Sequence, residues 1–145
     1  MIKDLRTKSA LELANLQDDT ARYKMEIGSE KLNEVMRDLE SSKATITSMC
    51  HRFIESHVAD TAEDETSAES EIVFTLIGSP RRFDGKEQAL ASMIHEVLVD
   101  LTLQKYYISV SAGDLSKAHE KQATEGLVEL YQMLRRKSAP KTIEP

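Results

Sequence analysis

The chain contains no tryptophan, only one cysteine and few aromatic residues, three Phe and four Tyr among 145 residues. The single thiol, Cys50, cannot form a disulfide within the chain, so the sequence lacks the framework of a small secreted, disulfide-stapled domain. With so few aromatic side chains, the sequence also offers no stacking platform for the bases of single-stranded nucleic acid.

Long apolar runs are absent as well. No stretch approaches the roughly 20 apolar residues that a membrane-spanning helix needs, and residues 1–6 lack the apolar run of a signal peptide. We therefore expect a soluble protein made in a reducing compartment, with no membrane partner. The length of 145 residues fits a single domain spanning 1–145, large enough to bury a core without disulfides or metals.

Basic residues are missing from one segment, which explains the net charge of −6. Residues 59–71 contain no Lys or Arg but six acids: Asp60, Glu63, Asp64, Glu65, Glu69 and Glu71. Without these six, 19 of the 25 acidic residues remain, and they balance the 19 basic residues. An electrically balanced body has no broad positive surface, so we expect no sequence-specific nucleic-acid partner. We interpret the polar residues 59–70 as an acidic flexible loop.

Apolar residues recur with helical spacing in four segments, which predicts helices near 3–27, 29–57, 85–108 and 114–137. The second has the clearest stripe: Leu32, Val35, Met36, Leu39, Ile46, Met49, Cys50, Phe53 and Ile54. Its positions 32, 39, 46 and 53 also form a heptad row, so a coiled-coil seam is an alternative. Because Ser42 and Lys43 interrupt the apolar face, a helix packed in a bundle is favoured.

The third predicted helix is apolar on most of its sides. Val99, Leu103 and Tyr106 widen its apolar arc well beyond a single stripe. A helix of this kind is buried, either at the centre of a bundle or between subunits.

A β segment at 71–83 separates the second and third helices. The run Ile72–Ile77 is rich in β-branched and aromatic residues and is followed by Gly78, Ser79 and Pro80, which predicts a strand. The only partner suggested by the sequence is a short return through Arg82 and Phe83. Because two strands alone are marginal in water, we expect the strand to pair with another chain or to be covered. The predicted fold is mainly α, a four-helix bundle-like domain with one short strand or hairpin inserted between helices 2 and 3.

The histidines and the cysteine form no recognisable reaction site. Cys50 and His51 are adjacent and point in different directions on a helix, and His57 lies six residues further on. His95 and His119 belong to other predicted helices and have no carboxylate at ligand spacing beside them. Cys50 lies on an apolar stripe, where a free cysteine behaves as a small buried hydrophobe. We expect no catalytic residue, no cofactor and no metal, and thus no enzyme.

An ordered set of features in residues 72–140 resembles a known type of protein. In chain order these are the strand at 72–77, Gly78-Ser79, Arg81-Arg82, Gly85-Lys86, Ala-Leu-Ala-Ser-Met-Ile-His at 89–95, Tyr106-Tyr107, and a last helix ending in Arg135-Arg136-Lys137 and Pro140. This order resembles the C-terminal region of the head–tail connector (adaptor or neck-ring) proteins of tailed phages and prophages of Bacteroidetes. The first two helices match only in being helical.

The resemblance implies a structural virion protein located in the neck and made in the cytoplasm of the bacterial host. It implies a homo-oligomeric ring, for which a dodecamer is one candidate size, that links the portal to tail or other neck proteins by protein–protein contacts. We expect those contacts to involve the strand, the arginine pair and the tyrosine pair: Ile72, Val73, Phe74, Arg81, Arg82, Tyr106 and Tyr107.

Two other hypotheses stay open. The chain can be a helical protein–protein interaction module of a prophage or host that forms no ring and is not part of a virion. An enzyme or a nucleic-acid regulator is the remaining class, and no motif in the sequence supports it.

Overall fold

The computed structural model of the chain describes residues 1–14, 27–58, 72–78 and 83–136. These residues form four α-helices and two strands, and a turn of 3₁₀ helix at Ser29–Lys31 precedes the second helix. In chain order the elements are α1 (Ile2–Leu13), α2 (Leu32–Met49), β1 (Ile54–Val58), β2 (Val73–Leu76), α3 (Glu87–Ser109) and α4 (Gly113–Arg135). The predicted class, mainly helical with a small β element between the second and third helices, is confirmed.

The helix α3 lies at the centre of the fold and contacts α1, α2 and α4. It contributes more buried residues than any other described helix. The cause is its wide apolar arc, which includes residues 97–99 and 101, 103 and 106, all of them buried. None of the helices in the described ranges is long and apolar enough to cross a membrane.

The buried apolar side chains form two clusters. The main cluster joins α2, the two strands, α3 and α4: Leu39, Ile46, Cys50, Phe53, Ile54, Phe83, Leu90, Ile94, Val97, Leu98, Leu101, Ala123, Leu130 and Leu134. The α1 cluster lies between α1, the start of α2 and the C-terminal half of α3: Leu5, Leu13, Ile27, Val35, Val99, Leu103, Tyr106 and Tyr107. Burying each large apolar side chain contributes roughly 1.5–3 kcal/mol, so these clusters supply most of the favourable free energy of folding.

The end of the second helix differs from the prediction. α2 ends at Met49, and the chain then turns, with the backbone N–H groups of Phe53 and Ile54 both donating to the carbonyl of Cys50, at 2.8 and 2.9 Å. Residues 54–58 form β1 instead of the last turns of a helix. The apolar spacing alone allowed both structures, because Cys50, Phe53 and Ile54 are buried either way. Pairing with β2, which satisfies the strand's backbone groups, decides between them.

Packing against α3 explains the polar interruption in the stripe of α2. Ser42 is buried, and its hydroxyl accepts a hydrogen bond from the hydroxyl of Thr102 on α3 at 3.2 Å. The Ser42 hydroxyl in turn donates to the carbonyl of Asp38 at 2.8 Å. The described α2 is therefore a packed helix of the bundle, as favoured over the coiled-coil alternative.

The strands β1 and β2 pair in antiparallel fashion, with Ile54 opposite Leu76 and Val58 opposite Val73. An irregularity between Ile54 and Ser56 places one extra residue in β1, as in a β-bulge. The strand predicted at 72–77 is confirmed, but the partner proposed for it was wrong. Phe83 belongs to the main cluster and not to a return strand, whereas Arg82 lies outside the described residues.

A glycine lets α3 and α4 approach closely. A Cβ atom at position 126 would lie only 2.8 Å from Cγ2 of Val97 on α3. The side chain of Val97 is buried and β-branched, so it cannot rotate away easily. We therefore expect Gly126→Ala to lower the free energy of unfolding by about 1 kcal/mol, because overpacking outweighs the roughly 1 kcal/mol by which Ala favours a helix over Gly.

The matched control for this substitution is Gly113→Ala at the first residue of α4, where an added Cβ meets nothing within 4 Å. It should leave the stability unchanged or raise it slightly. Urea denaturation of both variants measures the difference. An equal gain in stability at the two positions would contradict the close approach of α3 and α4.

Candidate functional site

An open apolar groove of about 400 Å³ lies between β2 and the first half of α3, and we call it the hairpin groove. Its lining is mostly apolar: Met1, Ile72, Val73, Phe74, Leu76, Leu90, Ala91, Ile94 and Leu98. Glu87 and His95 are the charged or titratable side chains along it. Concave apolar surfaces with a few polar groups are the usual form of binding sites in proteins.

The strand β2 divides its side chains between the core and the solvent. Ile72, Phe74 and Leu76 are partly buried and pack against the main cluster. Val73 and Ile77 instead expose 45% and 42% of their surface. Single exposed apolar residues are common in proteins, but these two flank a groove that is itself apolar. The hairpin and its groove together form the strongest candidate contact surface in the described residues.

The predicted contact residues fall into three groups. Ile72, Val73 and Phe74 line the hairpin groove. Arg81 and Arg82 lie outside the described residues, as does the predicted acidic loop at 59–70. Tyr106 and Tyr107 are completely buried in the α1 cluster, which corrects the expectation that they lie on an outer surface. The reason is that α1 packs over this part of α3.

A second feature, a buried polar network, joins α1, α3 and α4. His119 of α4 lies at its centre, with only 3% of its side chain exposed. Its Nδ1 lies 2.8 Å from Oδ1 of Asp100 on α3, and its Nε2 lies 2.9 Å from each of the two carboxylate oxygens of Glu12 on α1. We call these three residues the His119 triad.

Further side chains of α1 and α3 complete this network. The hydroxyl of Tyr107 donates to Oε2 of Glu12 at 2.7 Å and also contacts the hydroxyl of Ser9 at 3.3 Å. Lys8 donates to Oδ1 of Asp100 at 3.3 Å. The ring of Tyr107 stacks on that of His119, with 5.5 Å between their centres. Each charged group in the network therefore has a partner of opposite charge, as buried charges require.

The pKa values in the network reflect burial and these partners. Burial by itself lowers the pKa of His119, but hydrogen bonds to Asp100 and Glu12, together with their negative charges, more than offset it and leave that pKa raised. Burial raises the pKa of Tyr107, and its hydrogen bond to Glu12 acts in the same direction. Tyr107 therefore stays protonated and remains a hydrogen-bond donor.

The triad does not have the geometry of a metal site. The two carboxylates contact opposite nitrogens of one ring, so the three side chains do not converge on a common point. Across the described ranges, no group of three or more His, Cys, Asp or Glu side chains is placed to hold a metal ion. Cys50 is buried, and burial raises its pKa.

Little in the sequence pointed to the His119 triad. Glu12 and His119 are 107 residues apart, and neither stands out locally. The one signal was Asp100, a lone acid within the apolar run Val-Leu-Val-Asp-Leu-Thr-Leu at 97–103. A carboxylate there can be buried only with a cationic or hydrogen-bonding partner, which predicts a network without naming its members.

Comparisons with known proteins give no match: no protein-family profile, no curated protein and no solved structure is significantly similar to this chain.

Proposed function

We propose that the chain is a ring-forming subunit of the head–tail connector of a tailed phage or prophage. In this role it is a structural virion protein that links the portal to tail or other neck proteins by protein–protein contacts. The observation that carries the proposal is the pairing of an open apolar groove with the exposed Val73 and Ile77 on the adjoining strand. The sequence resemblance over residues 72–140 supports a connector ring as the type of assembly.

Ring assembly makes a specific demand on a subunit surface. In a closed ring the contact is head-to-tail, so each subunit offers two different, complementary patches. The hairpin groove is suited to be the concave patch, since its apolar lining gains free energy when a neighbour removes it from water. Outside the groove lining, Leu11, Ile108 and Val128 are exposed and offer apolar side chains with which a neighbour can fill it.

Assembly of the purified full-length chain tests this proposal directly. We expect light scattering and electron microscopy to detect closed rings, either of the chain alone or after addition of the portal protein from the same genome. We also expect antibodies against the chain to label the neck of purified particles. A chain that stays monomeric or dimeric with the portal protein and is absent from particles would contradict the proposal and favour the interaction-module hypothesis.

A further inference from the structure

The buried histidine of the triad is satisfied in only one protonation state. Both nitrogens of His119 face carboxylate oxygens, at 2.8 and 2.9 Å. An ionised carboxylate only accepts hydrogen bonds, and a neutral imidazole has only one N–H to donate. If His119 loses a proton, a nitrogen lone pair therefore faces the negative oxygen of either Asp100 or Glu12. The doubly protonated imidazolium is the form that fits this site.

The charges around the imidazole of His119 also favour its doubly protonated form. From α1, Lys8 and Glu12 contribute one charge of each sign, and from α3, Asp100 contributes a negative charge while Tyr107 is neutral. With an imidazolium at His119 these charges sum to zero, whereas a neutral ring leaves one uncompensated negative charge. Leaving a buried charge without its partner is strongly unfavourable.

Other groups near the network add negative charge. Lys8 and Asp100 also line a cleft of about 410 Å³ between α3 and α4. The other titratable side chains along this cleft are Glu96 of α3 and Glu125 and Glu129 of α4. All three are carboxylates, but the lining of this cleft does not include His119, so Glu12 and Asp100 are the acids that act on its ring.

This network is one of the attachments that hold the helix α1 on the fold. The helix has only 12 residues, and an isolated helix of that length is marginal in water. It contacts the rest of the chain through the apolar Ile2, Leu5 and Leu13, through the pair of Asp4 with His95, and through a polar row formed by Lys8, Ser9 and Glu12. Lys8 contacts Asp100, Ser9 contacts Tyr107, and Glu12 contacts Tyr107 and His119. The contacts of this polar row therefore depend on the protonation state of His119.

We propose that His119 is a proton-operated latch for α1. With both nitrogens protonated it clamps Glu12 of α1 to Asp100 of α3, and loss of one proton releases α1 while the main cluster stays folded. The latch is independent of the proposed ring, because it follows from contacts within one chain.

The direction of the pH response follows from the sign of the pKa shift. The pKa of His119 in the docked state is raised above its ordinary value of about 6.5. A raised pKa means that the latch has its full strength below about pH 6.5 and weakens as the pH rises through the docked-state value. Each unit by which the docked pKa exceeds the released one changes the docking equilibrium about tenfold.

Hydrogen exchange of the full chain tests the latch. The protection of amides in residues 2–13 is compared with that in α3 at the same pH, so that the intrinsic pH dependence of exchange cancels. Between pH 6 and pH 9.5 we expect α1 to lose protection relative to α3, by about tenfold for each unit of the pKa shift. A parallel loss in both helices would mean global unfolding and would overturn the latch.

A second histidine on α3 supplies a matched control. Nε2 of His95 lies 3.3 Å from Oδ2 of Asp4, so it also contacts α1, but its side chain is 45% exposed. We expect His119→Gln to abolish the pH dependence of α1 protection and His95→Gln to preserve it. Loss of the response in His95→Gln alone would assign the pH dependence to the exposed pair and overturn the proposal.

Nuclear magnetic resonance of the wild-type chain keeps the proposal testable if His119→Gln fails to fold. We expect the ring of His119 to remain doubly protonated above pH 6.5, and Glu12→Gln to lower its titration midpoint. A His119 ring that titrates at or below its ordinary value in the wild-type chain would overturn the latch.

Discussion

Replacing Leu130 with alanine is expected to lower the free energy of unfolding by about 2–5 kcal/mol. Leu130 is completely buried in the main cluster, on the helix that packs against α3. Removing most of its side chain loses the transfer free energy of the deleted groups and leaves a cavity that the surrounding helices fill only in part. Urea denaturation followed by circular dichroism measures the loss.

The matched control lies two residues away on the same helix. Val128 exposes 55% of its surface, so Val128→Ala removes little buried area and should change the stability by less than about 0.5 kcal/mol. A loss below about 1 kcal/mol for Leu130→Ala would place this face of α4 at the periphery and contradict the described core.

Charged substitutions on the outward face of β2 are expected to abolish assembly without unfolding the chain. Val73 and Ile77 expose 45% and 42% of their surface, so Val73→Asp with Ile77→Asp should leave the helix content nearly unchanged. Two carboxylates in an apolar contact would have to be stripped of water without a partner, which costs several kcal/mol. We expect the double variant to be missing from rings and from particles, as measured by electron microscopy and mass spectrometry.

A second double variant controls for the added charge. Ala44→Asp with Ala118→Asp introduces the same two carboxylates at exposed positions of α2 and α4. This variant should assemble like the wild-type chain. Particles that contain the Val73 and Ile77 variant at normal levels would show that the hairpin is not the contact surface, whatever the identity of the assembly.

The helices could be predicted from the sequence because, within them, the spacing of the apolar residues fits only one structure. In α3 the wide apolar arc predicted burial, and the structure buries it. At residues 50–57 the apolar spacing is compatible with both a helix and a strand. Pairing with β2, almost 20 residues later, selects the strand. Local patterns cannot report such a pairing, because its free energy comes from residues outside the pattern.

The candidate contact surface was predictable in part, and the polar network was not. β-branched residues at 72–77 marked the strand, and Val73 is indeed exposed. The sequence pattern around Tyr106 and Tyr107 is the same for core residues and for interface residues. An apolar helix face does not show whether the same chain or another chain covers it. The His119 triad required three helices to be in place, and the contact between Glu12 and His119 spans 107 residues.

The lone thiol of Cys50 gives the chain a built-in chemical probe. It is 1% exposed within the main cluster, and burial raises its pKa, so the reactive thiolate is scarce in the folded protein. An alkylating reagent can reach the sulfur only in molecules whose core has opened around the end of α2. The rate of alkylation therefore counts these openings under native conditions, without denaturant.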